Sequence, residues 1–343
     1  MRIGITYNLK SDILPTSHAS LPEDAAEEFD LPETIEAIQN VLSQEGYEVH
    51  LLGGDLAVIE KIKRFGIEFV FNIAEGFKGR NREAHIPALL ELSGIPYSGS
   101  DPLGLAMTLD KALAKRIAIS LGIPTPEFWI VEGKENLSIL PDRFPLFVKP
   151  LWQGSSIGIR TTSHVTNPAE LEREVGRLLE HYPKEPILIE EFISGREFTV
   201  GLIGNEPPAV IGVMEISFSN PSQKDFCYSL EVKRNWKEQV RYQCPPSLKP
   251  EEEKQIRDAA LQLFRVLRLR DVARFDFRMD QEGKIYFLEA NPLPGLSPES
   301  GDLVILAQKV GLSYSQLICK ILRSALERYP AFSQLKMKGS ING

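Results

Sequence analysis

The stretch Arg274-Phe-Asp-Phe-Arg-Met-Asp-Gln-Glu-Gly-Lys-Ile-Tyr-Phe-Leu-Glu-Ala-Asn-Pro-Leu-Pro-Gly295 reads as a β-hairpin that runs into a proline-stiffened loop. The runs Asp271–Met279 and Lys284–Ala290 flank Asp280-Gln-Glu-Gly283, a turn-forming sequence. With the turn closed over Asp280–Gly283, Met279 pairs with Lys284. The ladder then places Arg274 opposite Glu289 and Asp276 diagonal to Glu289 on the same face. Phe275, Phe277 and Leu288 point to the other face, as a core demands. One sheet face thus gathers a cation and a pair of carboxylates, with Asn291 just past the strand end. Asp276, Glu289 and Asn291 offer oxygen ligands, the donor set of Mg²⁺, which takes few protein ligands and fills its shell with water and phosphate oxygens. The same residues also read as a solvated sheet face with an Arg–Glu cross-strand pair.

Working outward, the first hundred residues alternate strand-like Arg2–Thr6, Tyr47–Leu52, Ile67–Phe71 and Ile95–Tyr97 with helix-like Thr34–Leu42, Val58–Phe65 and Pro87–Leu92. That alternation predicts a parallel sheet in an α/β domain. Leu9–Phe29 is polar and long for an α/β loop, hence functional or mobile. Asp101 to about Leu121 is helical and stops at Gly122 with Pro124 beyond. Phe144–Lys149 is a strand, Gln153–Gly158 a glycine-serine turn, and Ile157–Thr162 a strand again. Pro168–His181 is an amphipathic helix, followed by strands at Ile187–Ile193, Glu197–Ile203 and Ala209–Ile216. Ser217–Pro246 is irregular; Glu251–Leu267, Leu303–Val310 and Tyr314–Tyr329 are helices. The tail after Pro330 reads as disordered.

The chain has 343 residues, 43% hydrophobic and 25% charged, which predicts two or three ordinary globular domains. A net charge of −8 argues against a nucleic-acid footprint. Cys227, Cys244 and Cys319 lie far apart, which excludes a disulfide framework or zinc ribbon and suits a reducing compartment. No apolar run is long enough for a membrane helix. The expectation is a cytoplasmic protein with no membrane or nucleic-acid partner.

Further segments carry chemistry. Lys149-Pro-Leu-Trp-Gln-Gly-Ser-Ser-Ile-Gly158 is a glycine-serine turn after a strand that ends in lysine, and its backbone N–H groups can cradle phosphate. It is not a Walker loop, because no Gly-Lys-Ser/Thr follows. Gly154-Ser-Ser-Ile-Gly158 also fits a nucleophile elbow on Ser156, which would need a helix directly after it and a later histidine. In Leu188-Ile-Glu-Glu-Phe-Ile-Ser-Gly-Arg-Glu-Phe198, extended backbone can read an adenine edge while Glu197 bonds ribose hydroxyls. Phe71-Asn-Ile-Ala-Glu-Gly-Phe-Lys-Gly-Arg-Asn-Arg-Glu83 follows a parallel strand, where open α/β sheets place ligands, and Arg80 and Arg82 suit a carboxylate clamp. His18, His50, His85, His164 and His181 show no metal-ligand spacing.

Together with Leu89-Leu-Glu-Leu-Ser-Gly-Ile-Pro-Tyr-Ser-Gly-Ser100 and Asp110-Lys-Ala-Leu-Ala-Lys115, these segments resemble the ATP-grasp superfamily, most closely the D-alanine–D-alanine ligase family, from about Phe71 to Ile321. The resemblance implies an ATP-grasp fold of mixed α/β and α+β class. An N-terminal parallel α/β domain spans residues 1–98, a central lid subdomain 99–186 and a C-terminal catalytic subdomain 187–330, with a tail at 331–343. The last two carry antiparallel sheets that clamp ATP. Lys111 and Lys149 then bind phosphates beneath a flexible loop with Ser155 and Ser156. Glu190, the Glu191, Phe192 and Ile193 backbone and Glu197 hold the adenosine, with Phe147 and Phe192 flanking the base. Lys233 sits on a loop that folds over the site. Asp276, Glu289 and Asn291 hold Mg²⁺ (or Mn²⁺). Arg274 and the Gly295 backbone steady the tetrahedral intermediate, and Ser300 binds the second substrate's carboxylate.

The implied reaction is ADP-forming ligation of a carboxylate to an amine through an acyl phosphate, with ATP and Mg²⁺ as cofactors, small amino acids or carboxylates as substrates, and a homodimer as the assembly. Departures from the family pattern fall on the amino-acid pockets. Glu75 stands where the family has histidine. Asn81-Arg-Glu-Ala84 replaces Gly-Glu-Asp-Gly, and Arg234 follows Lys233 where tyrosine is usual. Gly301 follows Ser300 in place of leucine. The family's glutamate for the first ammonium is not recognisable, with Glu27 and Glu28 nearby. The added arginines, Arg80, Arg82 and Arg234, predict a substrate with an extra carboxylate. The alternatives are a nucleotide-binding module without turnover and a serine hydrolase on Ser156.

Overall fold

The computed structural model describes residues 1–12, 22–77, 79–133, 141–220, 222 and 227–332. The N-terminal part alternates β1 (Arg2–Thr6), α1 (Pro32–Gln44), β2 (Glu48–Leu51), α2 (Val58–Phe65), β3 (Phe69–Asn72) and α3 (His85–Leu92). Its strands form a parallel sheet in the order β2-β1-β3, as the alternation requires. Ile95–Tyr97, expected as a strand, adds an isolated bridge between Tyr97 and Val70. Helices α4 (Pro102–Leu109) and α5 (Lys111–Ser120) follow, divided at Asp110, whose side chain caps α5 by accepting from the Leu113 N–H.

The central sheet is antiparallel, in the order β4-β7-β5-β6, from β4 (Phe128–Val131), β5 (Leu146–Pro150), β6 (His164–Val165) and β7 (Ile187–Glu191). Helix α6 (Pro168–His181) covers it, burying Leu171, Val175 and Leu178 against Val148 and Ile189. Two expectations need correction here. Ile157–Thr162 is not a strand: Ser155–Gly158 is a turn and Thr161–Ser163 a short 3-10 helix, leaving β6 with two residues. The division between the antiparallel sheets also falls after Glu191, because β7 pairs along its length with β4 and β5.

The C-terminal sheet runs β10-β9-β8-β11-β12, from β8 (Gly195–Ile203), β9 (Ala209–Phe218), β10 (Val240–Gln243), β11 (Val272–Asp280) and β12 (Ile285–Asn291). Short helices α7 (Leu230–Arg234) and α8 (Trp236–Gln239) lie inside the stretch expected to be irregular. Period-2 alternation buries Phe198, Val200, Phe275 and Phe277 against α9 (Pro250–Val266) and against Ala114 and Ala118 of α5. Helix α5 therefore packs with the C-terminal body, although it precedes the lid in sequence. The opposite face meets α10 (Asp302–Lys309) and α11 (Tyr314–Glu327), which also pack on the N-terminal sheet. Gly201 and Gly212 are register partners; a Cβ at Gly201 would sit 2.7 Å from Leu303 and one at Gly212 2.9 Å from Leu306, so α10 can rest directly on the sheet. Of the tail, Phe332 is described and meets the Phe69 ring edge-on at 6.2 Å; residues 333–343 lie outside the described residues.

The hairpin's register differs from the expected one. Asp280 accepts from the Lys284 N–H through its side chain and bonds the Lys284 carbonyl through its own N–H, so the loop closes over Gln281–Gly283. Phe277 pairs with Phe287, but Asp276 pairs with Glu289, so Leu288 is an extra bulged residue. The bulge turns Leu288 toward the site rather than the core and gives its core place to Phe287. It also sets Asp276 directly opposite Glu289 and Arg274 opposite Asn291.

Candidate active site

One cavity lies between the two antiparallel sheets and is closed at one end by the N-terminal domain. β5 and β7 present Phe147, Lys149 and Glu190; β8, β11 and β12 present Glu197, Arg274, Asp276 and Glu289. Also lining it are Glu75, Lys111, Ser155, Ser156, Glu191, Phe192, Ile193, Lys233, Asn291 and Gly295. Arg80, Arg82, Arg234 and Ser300 are not among the lining residues.

At the hairpin end, Arg274 Nη2 donates to Asp276 Oδ2 at 2.8 Å and lies 4.0 Å from Glu289. Its Nη1 is 3.5 Å from Asp302, a residue the sequence reading missed. The Asn291 amide nitrogen donates to Asp276 at 3.1 Å and to Glu289 at 3.4 Å. Thr199 donates to the other Asp276 oxygen. Burial raises the Asp276 carboxyl despite Arg274, whereas Glu289 is held low because Lys111, Lys149 and Arg274 overcome its burial. This oxygen set fits a hard divalent cation, with the Asn291 amide turned to present its oxygen.

Lys149 and Lys115 share one carboxylate: Glu190 lies 2.6 Å from Lys149 and 2.9 Å from Lys115. Burial alone would raise Glu190, but Lys115 and then Lys149 hold it at about 2. Lys115 is fully buried, also donates to Thr125, and is lowered by burial to about 8. It sits one helical turn from Lys111, the spacing that could have flagged it. Lys111 bonds the Gln153 carbonyl and lies 3.9 Å from Glu289. At the other end Arg278 lies over the Phe192 ring at 4.5 Å and 3.3 Å from Glu197. Phe147 is tilted against Phe192 at 6.2 Å, and both rings line this end of the cavity.

The glycine-serine turn holds Ser155 and Ser156 in the left-handed region, at φ 51° and 61°. Ser156 donates its hydroxyl to the Tyr228 carbonyl at 2.7 Å, and Lys233 donates to the Ser155 carbonyl at 3.1 Å. No helix follows Ser156, and no histidine lines the cavity among the described residues, so the serine-hydrolase reading fails.

Residues 22–30 tie the N-terminal domain to this turn. Asp24, fully buried, accepts from the Gly158 N–H at 2.9 Å and the Tyr182 hydroxyl at 2.6 Å, and pairs with Arg160 at 2.9 Å. Burial would raise Asp24, but those partners lower it from 3.8. A lowered carboxylate stabilises the fold fully above its unfolded value and loses that contribution as pH falls through the folded one. Asp24→Asn is therefore expected to cost about 2 kcal/mol in urea unfolding at neutral pH. The gap to the parent should close as pH drops below 3.8.

The arginines expected to grip a substrate carboxylate are committed within the protein. Arg82 grips Glu28 through Nε at 3.0 Å and Nη2 at 2.7 Å, and Arg234 donates to Glu27 at 2.8 Å. Arg80 lies 3.3 Å from Asp110 and over the Trp152 ring. Ser300 donates to Ser297 at 3.0 Å and, with Arg234, lines a separate pocket beside the start of α1. The arginines' partners are distant in sequence, so spacing could not disclose them. Glu28 and Glu83 do line the main cavity; Glu83, next to Arg82 in the loop after β3, was not among the expected site residues.

Residues 118–323 match the family model for the D-ala D-ala ligase C-terminus. The chain is 35% identical over 303 residues to uncharacterized protein y4sG of Sinorhizobium fredii, covering 86% of this chain and 88% of that one. It is 33% identical over 292 residues to the D-alanine–D-alanine ligase of Aquifex aeolicus, covering 84% and 93%. The fold superposes on the Bacillus anthracis D-alanine–D-alanine ligase complexed with ATP with a TM-score of 0.72 at 24% identity, over 96% of this chain and 98% of that one. The chain belongs to the D-alanine–D-alanine ligase family, ATP-grasp enzymes that use ATP and Mg²⁺ to form a carbon–nitrogen bond.

Proposed function

We propose that the protein joins the carboxylate of one amino acid to the amine of another, releasing ADP and phosphate, with D-alanine the first candidate for either position. The observation that supports this is the convergence of Asp276, Glu289 and Asn291 with Lys111, Lys149 and Arg274 in one cavity between the two sheets. A carboxylate is a poor acyl donor until its oxygen is phosphorylated. Phosphoryl transfer asks the protein for position and charge neutralisation rather than covalent chemistry. Mg²⁺ held by Asp276, Glu289 and Asn291 would supply part of that neutralisation. Lys111 and Lys149 supply the rest from the opposite sheet and helix. Arg274 faces the oxyanion that forms when the amine attacks the acyl phosphate, and phosphate then leaves. The glycine-serine turn, the 22–30 segment and Lys233 exclude water that would hydrolyse the intermediate.

ATP-dependent phosphate release with amino acids, singly and in pairs, tests the proposal. ADP should form only when a carboxylate and an amine are both supplied, with the dipeptide as co-product. Nucleotide binding without ADP formation from any pair would mark a binding module instead. The supply of ATP and the free Cys227, Cys244 and Cys319 support a cytoplasmic location. No helix among the described residues is long and apolar enough to cross a membrane. The family resemblance supports a homodimer, which sedimentation would measure.

A further inference from the structure

The start of α10 reaches the cavity at the end where Arg274 lies. Asp302, the first residue of that helix, lines the cavity, and its side chain is 12% exposed. One carboxylate oxygen lies 3.5 Å from Arg274 Nη1, and the other accepts from the Tyr242 hydroxyl at 3.2 Å. The Tyr242 and Tyr228 hydroxyls share a further hydrogen bond at 2.9 Å. Asp302 has little freedom to leave. After it, Leu303 is fully buried against Gly201, where a Cβ would sit 2.7 Å away. Before it, the chain turns tightly: the Gly301 N–H donates to the Ser297 carbonyl at 3.1 Å, and the Gly301 carbonyl accepts from Ile305 at 2.8 Å. A Cβ on Gly301 would meet the Gly295 carbonyl oxygen at 2.5 Å, so the leucine of the family pattern has no room in this turn. Two consecutive residues, Gly301 and Asp302, thus touch both groups expected to steady the tetrahedral intermediate, Gly295 and Arg274.

Arg274 has use for a second carboxylate. Its Nε and Nη2 donate to Asp276, at 3.1 and 2.8 Å. Asp276 also accepts from Thr199 and from the Asn291 amide, and it is a proposed cation ligand. A carboxylate shared so widely holds the guanidinium less firmly, and it does not serve Nη1, which Asp302 does. In the step concerned, the amine nitrogen bonds to the acyl carbon and the carbonyl electron pair moves onto oxygen. The pair returns as the carbon–oxygen bond to phosphate breaks. Stabilising that oxyanion depends on a donor fixed beforehand. Asp302 exerts two opposed effects: its charge weakens the field of Arg274 on the oxyanion, and its contact fixes the side chain. Orientation is the larger, because a displacement of about 1 Å costs on the order of 10²-fold in rate. We infer that Asp302 is a positioning residue, which holds the Arg274 guanidinium toward the oxyanion formed as the amine attacks. This rests on the ligase reading above.

Quenched-flow kinetics with Mg-ATP and D-alanine, or the most active pair from the phosphate-release screen, tests the inference by following ADP and dipeptide separately. Asp302→Ala should lower kcat by about tenfold or more, with the KM for ATP within about twofold of the parent. In the first turnover ADP should form at the parent's rate while the dipeptide lags, because the oxyanion arises only after phosphoryl transfer. Tyr242→Phe keeps the carboxylate and removes the hydroxyl that supports it. It should show the same lag with a loss of about threefold, and it carries the test if Asp302→Ala melts more than about 5 °C below the parent. A kcat for Asp302→Ala within about twofold of the parent, or above it, overturns the inference. So do ADP and dipeptide slowed together in both variants, the pattern of a merely structural role. Failure of the ligase reading looks different: the parent itself then forms no ADP with any amino acid.

Discussion

Glu289→Ala is expected to lose at least about 10³-fold in amine-dependent ADP release, roughly 4 kcal/mol of barrier. It should still melt within about 2 °C of the parent protein. The activity loss follows from geometry. The Leu288 bulge places Glu289 straight across from Asp276, so under the proposed metal assignment its removal would leave only Asp276 and Asn291 as oxygen ligands. The unchanged stability follows from opposed terms. Burial and then Glu289 work against the Asp276 anion, so deleting Glu289 relieves repulsion. Lys111, 3.9 Å away, loses an attraction at the same time. Mg-ATP should raise the parent's melting temperature, since saturation at a hundred times Kd contributes about 2.7 kcal/mol, and that shift should vanish in the variant. A variant retaining more than about a tenth of the parent turnover would place the metal elsewhere.

The sequence disclosed what local pattern controls. Val58–Phe65 and Pro168–His181 carry their boundaries in apolar spacing and terminal residues, and the structure reproduces both. The site-bearing face of β11 was legible because alternation sends Arg274, Asp276 and Arg278 one way and Phe275 and Phe277 the other. The register was not legible, because one inserted residue, Leu288, shifts the pairing without disturbing the composition of either strand. Ile157–Thr162 is apolar enough for a strand, yet Arg160 and Ser163 are used by Asp24 and Glu174 and the backbone turns. The substrate end was least legible. Arg82 looks free in sequence, and only the fold brings it to Glu28 from 54 residues away. The same fold brings Glu83 to the cavity wall, where arginines were expected.

Lys149→Met is expected to abolish turnover, a loss of at least about 10³-fold, while costing about 2 kcal/mol of stability. The cost is small for a buried ion because Glu190 is not orphaned: Lys115 stays 2.9 Å from it. Burial opposes a charge on Lys149, but Glu190 and Glu289 outweigh it and raise the ammonium's value, so a full positive charge is lost from the cavity wall. Lys115→Met is the mirror experiment. It leaves the Lys149–Glu190 pair at 2.6 Å and removes a cation that does not line the cavity. Its cost should appear chiefly in unfolding, because the Thr125 hydroxyl and Phe287 carbonyl lose their shared partner. Its turnover should fall by no more than about tenfold. Two lysines thus share one carboxylate, and of the two Lys149 lines the cavity. Equal losses of turnover in the two variants would mean that both act through Glu190 alone, and that the phosphates are bound somewhere other than beside Lys149.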